Sequence, residues 1–427
     1  MTLQERSDLV LAFARVLFVN GQATEQTLRA AESVGKTLGL RSEIVPRWGE
    51  LQLQAENAEG RFTTRVAAEP AGVNMHRVAS TMRSIGELNS GRCVPEAAPR
   101  ILHAISQSAP AAELLFVLAA GAGAVALAVL YGVQHLSSAA IIFASAAAGA
   151  LLRRTLARYG ENLFVQPFCA SLVAGAIGAL AVRYELSSSL RLIALCPCMI
   201  LVPGPHVLNG AMDLFNGRIH LGASRLIYAG LVIVAISIGL LLGLALFGVT
   251  LPVHQIGKEV SLWQDVLAAG VAVAAFSIFF SMPANMLAWP VAVGMLAHAL
   301  RWGTMILLGA SAAAGAFVAC LVAGLVLAPV SHRVHMPFAA IGFAAVVSMM
   351  PGLFLFRTAS GLIQLSGGAH TTLELIGGTI ADGMTAITII LAMSLGLIGP
   401  KLIFDRISRR ATQPQTQRSH GDQGVAE

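Results

Sequence analysis

Leu201-Val202-Pro203-Gly204-Pro205 and Met349-Met350-Pro351-Gly352-Leu353 each break into a long apolar stretch with a proline–glycine pair, Pro351 lying 148 positions after Pro203. Proline lacks an N–H and clashes with the turn before it, and glycine permits a sharp bend, so each stretch reads as a helix broken near its middle. The groups such a break leaves unpaired are tolerated in hydrocarbon only where they line a polar cavity or lie buried in protein. Either pair alone is more simply an ordinary loop. The matched occurrence of two favours a built feature.

Working outward, apolar stretches long enough to cross a bilayer, which takes about 20 residues, begin near residues 113, 136, 163, 190 and 224. A second set begins near 264, 285, 302, 337 and 372. Gly149, Leu151 and Leu152 before Tyr159 and Gly160 are echoed by Gly294, Leu296 and Ala297 before Trp302 and Gly303. Two halves of five spans, an odd number, must lie in opposite orientations. An inverted repeat with one interrupted helix per half is the pattern of a secondary transporter whose site lies where the halves meet. The expected fold is an α-helical polytopic membrane protein of about ten transmembrane helices, as two inverted five-helix repeats with Pro-Gly-broken helices, plus an N-terminal α+β cytosolic domain. The expected divisions are 1–110 for that domain, 111–250 and 251–405 for the repeats, and 406–427 for a disordered polar cytosolic tail.

Composition agrees. The 427 residues are 56% hydrophobic and 12% charged, with mean hydropathy +0.72, against roughly 25% charged in a soluble domain. Residues 1–113 hold 12 basic and 12 acidic side chains, which leaves no electrostatic footprint for nucleic acid. The net charge of +6 arises in the membrane region and tail, as the positive-inside rule predicts for a chain with both termini cytosolic. Arg153, Arg154, Arg158, Arg218, Arg225, Arg333, Lys401, Arg406, Arg409 and Arg410 count as inside; Arg183, Arg191, Lys258, Arg301 and Arg357 count as outside. Glu5, Arg6 and Asp8 replace the apolar core of a secretory signal, so the first hundred residues are expected in the cytosol.

Leu9, Phe13, Val16 and Leu17 share one helical face, as do Leu28, Ala31, Val34 and Leu38. Leu51, Leu53 and Ala55 alternate with polar residues, and Phe62, Thr64, Val66 and Ala68 do so after a turn at Asn57 to Gly60, which predicts a hairpin. Two further helices follow, around Met75 to Ile85 and from Pro95 to before Pro110, giving the order ααββαα. Arg15, Glu25, Arg29, His76 and Arg77 are read as a solvated face in preference to a regulatory site.

The transport-pathway candidates sit around the breaks: Pro203, Gly204, His206, Asn209 and Asp213 at the first, Pro351, Gly352 and Arg357 at the second, and Asp382 in the last span. A half-helix N-terminus attracts a carboxylate and a C-terminus an ammonium, the two groups of an amino acid. Asp382 lies about 15 Å deep at 1.5 Å per residue, where a carboxylate is costly unless paired, hydrated or protonated. It is the candidate for proton coupling or for contact with a substrate amine, against a structural hydrogen bond to Thr379 or Thr385. Asp213 would take an ammonium and Arg357 a carboxylate, against simple interfacial charges. His298 and Glu374 are left outside the core site.

No Gly-Lys-Ser phosphate loop, paired-His zinc motif or Gly-x-Ser-x-Gly elbow is present, so neither an enzyme nor a nucleotide-driven pump is expected. Cys196 and Cys198 flank Pro197 without His or carboxylate neighbours, which makes small packing residues of them rather than metal ligands. No cofactor or metal is implied.

At this point the chain resembles the threonine/serine exporter family over roughly residues 8–405. The resemblance is carried by Asn20 to Glu25, by Gly72 to Met75, by Leu201 to Gly204 with Asn209 and Asp213, and by Met350 to Gly352 with Arg357. It implies proton-driven export of threonine and serine across the bacterial cytoplasmic (inner) membrane, with a homo-oligomer compatible. Met350 in place of the family's Val, and Pro205 before His206, depart from the pattern and leave export of small dicarboxylates such as succinate as the rival. A passive channel is the other alternative.

Overall fold

The computed structural model describes residues 1–58, 60–160, 162–186, 190–249, 260–333, 338–367 and 372–412. Lys258 and the tail beyond Thr412 lie outside the described residues. The chain opens with α1 (Leu3–Val19), started by a capping box in which Thr2 accepts from the Glu5 amide and Glu5 from the Thr2 amide. There follow α2 (Thr24–Thr37), the antiparallel sheet β1 (Arg41–Arg47), β2 (Gly49–Asn57) and β3 (Gly60–Ala68), then α3 (Met75–Asn89) and α4 (Ala98–Gln107). Leu51, Leu53 and Ala55 of β2 are buried with Phe13, Leu17 and Val34 of the first two helices, so period 2 on one element meets period 3.6 on the others.

The hairpin closes between Asn57 and Gly60, as its turn signal predicts. The order ααββαα is corrected to ααβββαα, because β1 pairs with β2 from Arg41 opposite Glu56 to Arg47 opposite Glu50. Only Ile44 of β1 is buried, and Pro46 sits on this outer strand, so it carries no hydrophobic alternation to read.

The apolar part follows as α5 (Glu113–Leu130), α6 (Leu136–Tyr159), α7 (Val165–Arg183), α8 (Leu190–Met199), α9 (Gly204–Phe215) and α10 (Ile219–Ala245). A second series comprises α11 (Leu262–Phe279), α12 (Ala288–Ile306), α13 (Ala312–Arg333), α14 (Phe338–Val346), α15 (Gly352–Ser366) and α16 (Leu373–Thr412). Among the described residues seven of these helices are long and apolar enough to cross a membrane, or nine spans if each bent pair counts as one. The bent pairs are α8 with α9 and α14 with α15. The span placed near residue 302 begins ten residues later, because Trp302 still belongs to α12 and α13 starts at Ala312. The last helix passes residue 405 and runs to Thr412.

The packing of the first series recurs in the second. α5 packs on α6, α6 on α7, α7 on both α8 and α10, and α9 on α10; α11 on α12, α12 on α13, α13 on α14 and α16, and α15 on α16 repeat this in order. Between the series, α5 meets α11, α8 meets α15, α9 meets α14 and α16, and α10 meets α15. Small residues permit the closest contacts: a Cβ on Gly175 of α7 would stand 2.3 Å from the Leu240 carbonyl of α10, and one on Gly324 of α13 would stand 2.7 Å from the Leu397 carbonyl of α16. Lipid supplies no hydrophobic drive between helices, so such near-backbone contact is what holds them.

Candidate functional site

The two breaks have the same local geometry. Pro203 has φ −80° and ψ 57°, Pro351 φ −79° and ψ 44°, and each ends a helix whose continuation is bent by 55° and 52° respectively. Beyond each proline the glycine amide donates two residues back, Gly204 to Val202 and Gly352 to Met350, both at 2.8 Å. The breaks also touch each other reciprocally. A Cβ on Gly204 would lie 2.6 Å from the Phe343 ring and 3.1 Å from Met350, while one on Gly352 would lie 3.2 Å from Met199 and 3.5 Å from Val202. Both glycines are buried; only the missing side chain allows this approach.

Beside the first break a cavity of about 350 Å³ is lined by Pro203, Pro205 and His206, by Tyr228 of α10, by Arg153 and Arg154 of α6, by Gln166, and by Asn74 of the loop before α3. His206 is buried, its ring edge-on to Tyr228 at 5.0 Å, and its Nδ1 has no hydrogen-bond partner among the described residues. Arg153 stacks over Phe279 at 5.2 Å and Arg154 over Phe116 at 4.2 Å. Among the described residues, no Asp or Glu lines this cavity.

Asn209 and Asp213, one turn apart on α9, face the segment between α1 and α2. Asn209 donates through Nδ2 to the Gly21 carbonyl at 3.1 Å, and Thr24 donates its hydroxyl to Asp213 Oδ2 at 3.0 Å. Arg225 of α10, wholly buried, places Nε 3.1 Å from the same oxygen as an ion pair and packs over Phe18 at 5.2 Å. Arg218 stands 3.7 Å from Asp213 Oδ1 and 2.6 Å from Glu25, which also holds Arg29 at 3.1 Å. Burial alone would raise the Glu25 pKa, but the hydrogen bond from Arg218 and the charges of Arg29 and Arg218 outweigh it and leave it lowered. Glu25 and Arg29, expected on a solvated face, are therefore joined to the apolar part through Arg218. Arg225, counted from sequence as a topology charge, is a buried partner.

At the second break Arg357 of α15 and Asp382 of α16 come together, Arg357 Nε standing 2.9 Å from Asp382 Oδ2. Asp382 is the tenth residue of α16, and it is buried. The two ion pairs are opposed in sense: the short helix after the first break supplies the acid, and the short helix after the second supplies the cation. Glu374 is exposed near the start of α16. His298, set outside the expected site, is buried between Asp265 and Ser348. Neither Arg225 nor Ser348 had a signal in the sequence, because their partners come from other helices.

Bilayer-length apolar helices, two of them broken and seated on one another around buried charges, define a polytopic helical membrane protein. The threonine/serine exporter profile matches residues 8–247, and a second, described as Threonine/Serine exporter, ThrE, matches residues 265–403. The chain belongs to the threonine/serine exporter family, with both parts fused in one polypeptide. It is 23% identical over 353 residues to the threonine/serine exporter of Corynebacterium glutamicum, covering 80% of this chain and 69% of that one. No solved structure matches it.

Proposed function

We propose that this chain is a secondary transporter that exports threonine and serine across the bacterial inner membrane, driven by the proton gradient, with both termini cytosolic. α12 completes ten spans, and α5–α10 and α11–α16 form two inverted five-helix repeats behind an N-terminal cytosolic domain. The name of the Corynebacterium glutamicum relative supplies the substrate class. The reciprocal seating of Gly204 and Gly352 is the observation that carries the reading, because it brings two broken helices to one place inside the bilayer-length bundle.

The chemistry follows from the ion pair at the second break. Arg357 and Asp382 neutralise each other when no substrate is present, which lowers the cost of holding both in the membrane. A zwitterion of matching polarity takes their place in the pairing: its carboxylate on the Arg357 guanidinium, its ammonium on Asp382. Arg153, with His206, Gln166 and Tyr228, lines the approach from the cytosolic side. A second reading, export of a small dicarboxylate, is favoured by that cavity having Arg153 and Arg154 in its wall and no carboxylate among its described lining residues.

Counterflow in proteoliposomes separates these. The expected result is saturable exchange of labelled threonine and serine, cut at least about tenfold by Arg357→Gln or Asp382→Asn, the scale of losing one partner of a desolvated charge contact. Exchange of succinate without threonine would transfer the assignment to the dicarboxylate reading. Flux without saturation or counterflow would make the chain a pore.

A further inference from the structure

The two ion pairs and the cavity leave one buried polar chain without a role. His298 of α12 lies between Asp265 of α11 and Ser348 in the 3-10 turn Val347–Met349: its Nδ1 is 3.0 Å from Asp265 Oδ2 and its Nε2 is 2.8 Å from Ser348 Oγ. All three are buried, at 1%, 4% and 5% exposure for His298, Asp265 and Ser348. Ionised Asp265 only accepts, so His298 Nδ1 carries its hydrogen and Nε2 accepts from the Ser348 hydroxyl. In that state the Asp265–His298 pair has a net charge of −1. One proton on Nε2 brings it to zero, a gain in any region that disfavours net charge.

We propose that Asp265, His298 and Ser348 form the proton-binding site that couples the gradient to substrate movement. This rests on the export reading and assigns its proton to a place other than Asp382. Asp382 is already ion-paired with Arg357, and the substrate needs that pair. When His298 becomes imidazolium both nitrogens donate, so the Ser348 hydroxyl must turn from donor to acceptor. Ser348 is two residues from Met350 and three from Pro351. Met350 packs against Gly204, and Gly352 packs against Met199 and Val202, so a shift of this turn is felt at both breaks. The same residue types make hydrolase triads, but Ser348 lies in a turn inside the bundle rather than on a strand-to-helix elbow. Arg301 from α12 itself faces His298, and Cys320 of α13 and Tyr131 at the end of α5 stand near Arg301 in turn. The described residues of α14 add no titratable group. Arg301, one turn beyond His298, is only part-buried, and its charge opposes the proton that the buried Asp265 favours.

The test uses the full chain in proteoliposomes, with a trapped pH dye to follow protons and labelled threonine to follow substrate. Wild type is expected to move protons with threonine. In His298→Gln, threonine-linked proton movement is lost and gradient-driven accumulation falls at least about tenfold, the scale of coupling between two sites, whereas threonine–threonine exchange at equal pH changes less than about threefold. Asp265→Asn gives the same split. Proton movement that persists in His298→Gln overturns the proposal. So does an equal fall of exchange and driven transport in both variants, which would mark a structural support. A wild-type chain that carries neither threonine nor serine overturns the export reading, and this assignment with it.

Discussion

Arg225 and Asp213 show how tightly single residues are committed. Arg225 is fully buried with Asp213 Oδ2 3.1 Å from its Nε, and Thr24 donates to the same oxygen. Removing one member of such a pair leaves the other charged in a low-dielectric interior, a loss of about 3–5 kcal/mol, whereas replacing both by packed apolar groups is often neutral. Arg225→Leu or Asp213→Leu alone is therefore expected to lower the unfolding temperature in detergent sharply. The double variant should recover much of the loss, and equal melting of single and double variants would contradict the pairing. This commitment also weighs against Asp213 as a free partner for a substrate ammonium. At Gly204 the constraint is steric: an added Cβ meets the Phe343 ring at 2.6 Å. Gly204→Ala is expected to reduce threonine counterflow by at least about tenfold, since displacements near 1 Å at a reacting or binding geometry cost that much and more. Phe343→Leu in the same chain should restore part of it.

Among elements, the repeated partnership of α7 with α10 and of α13 with α16 forms the frame against which the broken helices sit. Gly175 and Gly243 face each other across the first pair, a Cβ on either coming within 3.1 Å of the other's Cα. Gly175→Val would push these helices apart where no lipid-driven force restores them, so cysteines placed across the α7–α10 contact should crosslink less efficiently in that variant. Crosslinking at the wild-type rate would show that the contact is looser than drawn. The breaks differ in what lies next to them. His206 and the cavity adjoin the first, and the Arg357–Asp382 pair adjoins the second.

Over the whole molecule, the N-terminal helices are joined to α9 and α10 by Asn209, Asp213, Arg218 and Arg225 reaching Gly21, Thr24 and Glu25, while the Met75 amide donates to Phe280 at 2.9 Å. Trp48 of the loop between β1 and β2 packs tilted against Tyr228, ring centroids 5.1 Å apart. The N-terminal part therefore sits beside the cavity that Tyr228 lines, with Gly72 and Asn74 in its wall. Glu25 has a lowered pKa in the folded chain, so its contribution is fully present above the unfolded-state value and is lost as pH falls through the lower folded value. Hydrogen exchange of residues 20–25 should accelerate below the ordinary carboxylate range. Glu25→Gln should remove that pH dependence, and an unchanged acid response in the variant would assign it to another group.

Much of the architecture was legible in the linear chain because its causes are local. Span lengths follow from apolar runs, the breaks from Pro203-Gly204 and Pro351-Gly352, and the hairpin from Asn57 to Gly60. β1 escaped because a strand at the sheet edge with one buried residue has no period to detect. The limit between α12 and α13 escaped because the apolar run continues through Leu307 and Leu308, where the helix turns. The pairings Asp213 with Arg225, Arg357 with Asp382, and His298 with Asp265 and Ser348 join residues 12 to 50 positions apart on different helices. The sequence alone determined that this protein is a bundle of membrane-length helices with two matched interruptions, since hydropathy and proline act within one helix. Only the tertiary structure decided which charges meet, because a buried charge is made tolerable by whatever partner packing brings to it.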